Sequence, residues 1–201
     1  GGFPPALYQL QYPAPGSAAL GEEVIGRLAQ AGIEARADAQ RPMDHGAWVP
    51  LMHLLPAADV PVVQVALPLG YGPAQVYAMG QALAGLREQG VLVVGSGSMT
   101  HNLAEFFGGA REPAPYVVEF SRWIESAIQH GSLKALLDYR TEAPHAQRTH
   151  PTDDHFLPLF FALGAGGFGQ DGQAPVKADY LSREVMYSML AMDSFAVREA
   201  A

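Results

Sequence analysis

The run Val91-Leu92-Val93-Val94 feeds straight into Gly95-Ser96-Gly97-Ser98 and then delivers a histidine, His101. Four large apolar side chains in a row, three of them β-branched, suit a strand in the interior of a sheet. A glycine turn at its end suits the edge where open α/β sheets face their ligand crevices. A second run of the same kind, Pro61-Val62-Val63-Gln64-Val65-Ala66-Leu67, precedes it. Between the two, Val76, Met79, Leu83 and Leu86 recur at helical spacing and stop near Gly90. Strand, helix, strand in this order predicts an α/β fold with a central mixed sheet flanked by helices on both faces.

The remaining periodicities extend that pattern. Ser17 is placed to cap a helix marked by Leu20, Val24 and Leu28 and stopped at Gly32. A short strand is expected over residues 33–37, and a loop carrying Asp44 to Trp48 leads into a helix over 49–55. Val117, Phe120, Ile124 and Ile128 mark a helix ended by His130-Gly131. Shorter helices are expected over 133–138 and 159–163, the latter followed by a Gly-rich loop at 164–172. The alternation of Val185, Tyr187 and Met189 predicts a strand over 184–192. With 201 residues, about half of them apolar, one packed domain over 1–201 is the expectation.

Composition removes several classes of function. Twenty acidic residues against twelve basic ones give a net charge of −8, and the arginines are scattered, so nucleic acid is not an expected partner. No apolar run reaches the length of a membrane span and no signal-peptide pattern opens the chain; no membrane association and a cytoplasmic location are expected. There is no cysteine, so any metal must be held by His, Asp, Glu or water. The chain opens on Gly1-Gly2-Phe3-Pro4-Pro5, without methionine, as if cut from something longer.

The candidate chemistry lies with the histidines. His101, at a strand end, suits proton transfer, or else is a satisfied polar residue at a helix start. The preceding Gly-Ser-Gly loop resembles a nucleotide cradle only in part, because Thr100 stands where the third glycine of the fingerprint belongs. Ser96 and Ser98 lack the G-x-S-x-G context of a nucleophile elbow. His45, between Asp44 and Gly46, is either a donor to a ligand oxygen or part of an ordinary turn; His53 reads as partly buried packing. His150 and His155 are five apart with Pro151 between them, so they are not a helical metal pair, and one of them at most is a ligand. A two-histidine, one-carboxylate site would draw on His101, His155 and Asp153 or Asp154. His130 suits a helix C-terminus, and His145 lies in a polar loop.

Taken in order, Gly1-Gly2-Phe3-Pro4, Tyr12-Pro13-Ala14-Pro15-Gly16-Ser17, Asp44-His45-Gly46, Ala58 to Gln64, Gly95-Ser96-Gly97 with Thr100-His101-Asn102-Leu103, and Pro151-Thr152 with His155, Leu157 and Pro158 resemble the class III extradiol ring-cleaving dioxygenases, in the LigB-like branch that includes the 4,5-DOPA type. The resemblance implies a non-haem Fe(II) enzyme, with zinc in place of iron in some members. Its expected substrates are a catechol and O2, opened to a muconic semialdehyde type of product. It implies that His101 is the acid/base, that His45 hydrogen-bonds substrate or oxygen, and that His155 is a metal ligand. The family's two other histidine ligands, in a Gly-His-Gly-Ser-Pro-like loop and a Ser-Ala-His-Trp-like strand end, have no counterpart in this sequence. Association with a missing N-terminal segment, or as a homo-oligomer, is therefore expected. A non-catalytic relative that binds a phenolic ligand or a partner is the alternative.

Overall fold

The computed structural model describes residues 4–108, 112–169 and 176–199. It forms two compact units, one ending at Ala66 and the other beginning at Leu67.

In the first unit a short 3-10 turn, Pro5–Gln9, precedes helix α1 (Ala18–Gln30). The Ser17 hydroxyl accepts the Leu20 N–H at 3.2 Å, so the predicted cap satisfies one of the free donors of the first turn. Val24 and Leu28 are buried on one face. Gly32 takes φ +74°, which lets the Ile33 N–H fold back onto the Leu28 carbonyl at 2.9 Å and close the helix. Helix α2 (His45–Leu54) starts earlier than the sequence suggested, because Asp44 is its N-cap. Among the described residues neither 33–37 nor the predicted strand 61–67 joins a ladder.

In the second unit, helix α3 (Pro73–Leu83) continues as a 3-10 turn over Ala84–Gln89 and stops at Gly90, as the periodicity predicts. Helices α4 (Pro115–Gln129), α5 (Leu133–Leu137), α6 (Tyr139–Glu142), α7 (Ala146–Thr149) and α8 (Leu157–Ala165) follow. Val117, Phe120, Ile124 and Ile128 are all buried, which accounts for the 3.6-residue spacing of α4. Helices α3 and α8 cross with their backbones in near contact. A Cβ on Gly80 would collide with the Phe161 carbonyl, and one on Gly164 with the Tyr77 carbonyl. Beside this crossing Phe120, Tyr139, Phe156 and Phe160 interlock at centroid distances of 4.7 to 6.4 Å, in tilted and edge-on pairs.

The fold holds both helix and strand, but the predicted central sheet is corrected. Among the described residues there are two small antiparallel ladders. Strand β1 (Val176–Ser182) pairs with β4 (Ser194–Glu199), and β2 (Val185–Met186) pairs with β3 (Leu190–Ala191). The stretch 184–192, predicted as one strand, is a hairpin, because Tyr187 and Ser188 adopt φ of 51° and 60° and reverse the chain. The run 91–94 is not in a ladder, and Leu92 and Val94 are 72% and 49% exposed. Apolar, β-branched sequence signals the capacity to be a strand; a ladder also needs a neighbouring edge, and the described residues give this run none.

A histidine pair on a clamped loop

In the second unit the loop after Val94 is held from two sides. The Ser98 N–H donates to the His155 carbonyl at 2.8 Å, and the His101 N–H donates to the Thr149 carbonyl at 2.9 Å. From the other side Met99 N–H donates to the Ala191 carbonyl at 3.0 Å. The buried Thr100 hydroxyl donates to the Met189 carbonyl at 2.8 Å and accepts the Ala191 N–H at 2.8 Å. The hairpin β2–β3 and the segment 149–158 thus fix residues 98–101 between them. The glycines follow from this: a Cβ on Gly95 would meet the Pro158 carbonyl, and one on Gly97 the His155 carbonyl. They serve close chain packing, so a phosphate cradle is not needed to explain them.

The clamp delivers His101 against His155. Their rings stack with centroids 3.6 Å apart and planes 7° from parallel. Both side chains are half-buried. Burial, and next the neighbouring His155, lower the pKa of His101, which keeps its imidazole neutral at neutral pH and able to accept a proton. Asp154 Oδ2 lies 2.8 Å from the buried His155 Nδ1, a charge contact outside hydrogen-bond geometry. Asp154 is itself held by the Thr152 hydroxyl at 2.6 Å, and that hydrogen bond leads the causes that lower its pKa.

His150 has a role that the sequence reading did not assign. It is fully buried beside Phe120 and Phe156, and its Nε2 donates to the Met99 carbonyl at 2.8 Å. Because a carbonyl only accepts, Nε2 carries the hydrogen and Nδ1 is bare; Nδ1 is buried without a hydrogen-bond partner. Burial pushes its pKa down to about 4. Its signal in the sequence was adjacency alone, since it precedes Pro151 in the stretch that carries His155. Asn102 is a second such residue: its amide donates to the Arg148 carbonyl at 2.7 Å, and Arg148 in turn grips Glu105 through two bonds of 2.8 and 3.0 Å.

In the first unit His45 is the first residue of α2 and is exposed, with the Asp44 carboxylate capping the helix by accepting the Ala47 N–H at 3.2 Å. His53 is exposed rather than partly buried. In the second unit His130 is the C-cap of α4, with Nδ1 2.7 Å from the Ser126 carbonyl, as its position next to Gly131 suggests. His145 pairs with Glu119 at 2.8 Å.

Among the described residues no group of three His, Asp or Glu side chains is arranged to hold a metal ion. The predicted trio of His101, His155 and an aspartate is therefore not assembled. Two imidazoles stacked face to face have their lone pairs in parallel planes, so they do not converge on one ion in the ring planes where ligation is strong. His155 offers a single imidazole. The described residues do not by themselves fit a metal centre, and further donors would have to join it. No helix among them is long and apolar enough to cross a membrane.

Residues 3–191 match the family model described as the catalytic LigB subunit of aromatic ring-opening dioxygenase. The chain is 42% identical to a 4,5-DOPA dioxygenase extradiol of Beta vulgaris over 167 residues, covering 83% of this chain and 62% of that protein. It is 38% identical to the protein of the same name from Portulaca grandiflora, over 82% of this chain and 61% of that one. Against the Escherichia coli (strain K12) protein of that name identity is 34%, over 88% of this chain and 64% of the relative. The chain thus spans somewhat less than two thirds of the length of these relatives. Both the extent of the match and the level of identity place it: this chain belongs to the LigB family of aromatic ring-opening dioxygenase subunits.

Proposed function

We propose that this chain is the part of an extradiol dioxygenase that carries its acid/base histidine, and that the enzyme opens the ring of a DOPA-like catechol with O2. The observation that carries the reading is the His101–His155 stack within a family-matched segment: a neutral imidazole is locked face to face against a second one. In this reading His101 accepts the proton of a catechol hydroxyl and later returns it, a task suited to a group uncharged near neutrality. His45 hydrogen-bonds the substrate or dioxygen. His155 is a metal ligand, and Fe(II) is the proposed ion, with zinc as its substitute.

A second reading, a non-catalytic relative that binds a phenolic ligand, is favoured by the absence of a three-donor cluster among the described residues. An anaerobic Fe(II) titration separates the two. Tight binding near one ion per chain, followed by oxygen uptake on adding a catechol, is the expected result. A chain that binds the catechol but neither iron nor zinc would return the assignment to the second reading.

A further inference from the structure

Asp44-His45-Gly46 and Val62-Val63-Gln64 are separate stretches of sequence, and the first unit ties them together. Gln64 Oε1 accepts the Asp44 backbone N–H at 3.0 Å, and Gln64 Nε2 donates to Asp44 Oδ2 at 2.9 Å. The orientation of this carboxamide is fixed by its partners, because a backbone N–H can only donate and a carboxylate only accept. Asp44 Oδ1 is left free to accept the Ala47 N–H at 3.2 Å. One carboxylate therefore starts α2 with one oxygen and is gripped through the other, by a side chain 20 residues away. His45, the first residue of that helix, follows directly on the gripped backbone N–H.

We propose that Gln64 is a positioning residue for His45: its carboxamide sets where α2 begins and so where the His45 imidazole is held. This rests on the reading of His45 as a group that contacts substrate or dioxygen. Two hydrogen bonds to one residue fix direction as well as distance, and a ring at the first helical position inherits that direction from its cap. No bond runs from Gln64 to His45, so the effect passes through Asp44.

The test uses Gln64→Met, which keeps the length and removes both bonds, and Gln64→Glu, which keeps an acceptor but sets a carboxylate against Asp44. The first readout needs no activity. Amide exchange at Ala47, measured by NMR, is expected to quicken about fivefold to tenfold in Gln64→Met, with a smaller change at helix α1, in line with the loss of a cap. Unchanged exchange at Ala47 in both variants would overturn the proposal. The second readout is ring opening in a double-mutant cycle. Gln64→Met is expected to lower kcat/KM about tenfold in the wild-type background and to have no further effect on His45→Ala. An equal loss in both backgrounds would mean that Gln64 acts on the fold and not through His45. If the wild-type protein opens no catechol ring, the proposed function fails, while the Ala47 exchange still decides whether Gln64 sets the start of α2.

Discussion

Acidification should cost this protein more stability than its carboxylates alone would, because His150 is buried with one nitrogen bare. In the unfolded chain a histidine takes up a proton below its ordinary pKa of 6.5; in the fold His150 resists until about 4. Between those values the unfolded state binds more protons, so stability falls as pH falls and levels off below the folded value. A depression of that size corresponds to about 3 kcal/mol, a large share of what holds an ordinary domain together. The charge is disfavoured because a proton on Nδ1 would sit among Phe120 and Phe156 with no acceptor, while Nε2 is already committed to Met99. The perturbation is His150→Gln, whose amide can still donate toward Met99 but cannot ionise. Urea unfolding of both proteins at about pH 7 and about pH 4.5 gives the comparison. Asp193, whose burial raises its pKa to about 6, titrates in both proteins and with the opposite sign, so it drops out of the difference. The wild-type protein should lose roughly 2–3 kcal/mol more than the variant over this range. Parallel losses would refute the argument, since they would mean that His150 is either already protonated in the fold or rehydrated.

Other consequences of the structure are as direct. Gly80→Ala places a methyl group against the Phe161 carbonyl at the α3–α8 crossing and should lower stability by about 1–3 kcal/mol; a melting temperature equal to wild type would mean that the helices separate freely. Ser17→Ala removes the acceptor of the Leu20 N–H and should cost about 1 kcal/mol in urea unfolding, without altering the far-ultraviolet spectrum of the rest. His101→Ala should leave the fold intact, because the loop is held by backbone bonds and Thr100. On the proposed function it should reduce ring opening about 10²–10⁴-fold, and retention of most activity would remove His101 as the acid/base. Gly97→Ala drives a methyl group into the His155 carbonyl and should lower stability; on the proposed function it should also weaken iron binding, and iron affinity equal to wild type would separate His155 from the metal.

The helices of this protein are written in its sequence. Leu20, Val24 and Leu28 after Ser17, and Val117, Phe120, Ile124 and Ile128 before Gly131, carry both the period and the stops, because a helix satisfies its hydrogen bonds within itself. The family was legible for a related reason, since His101, His155 and the motifs around them keep their order along the chain. Tertiary structure decided what depends on a second partner. Pro61 to Leu67 and Val91 to Val94 have strand sequences, but they join no ladder among the described residues, and apolar sequence alone does not form one. The stack of His101 on His155 required the hairpin carrying Met189 and Ala191 to press the loop from the far side. In the sequence His150 stood with His155 as one of two candidates for a ligand, and burial against Met99 made it part of the clamp. Contacts between residues fifty or ninety positions apart leave no period in the sequence to read, so only the fold could show them.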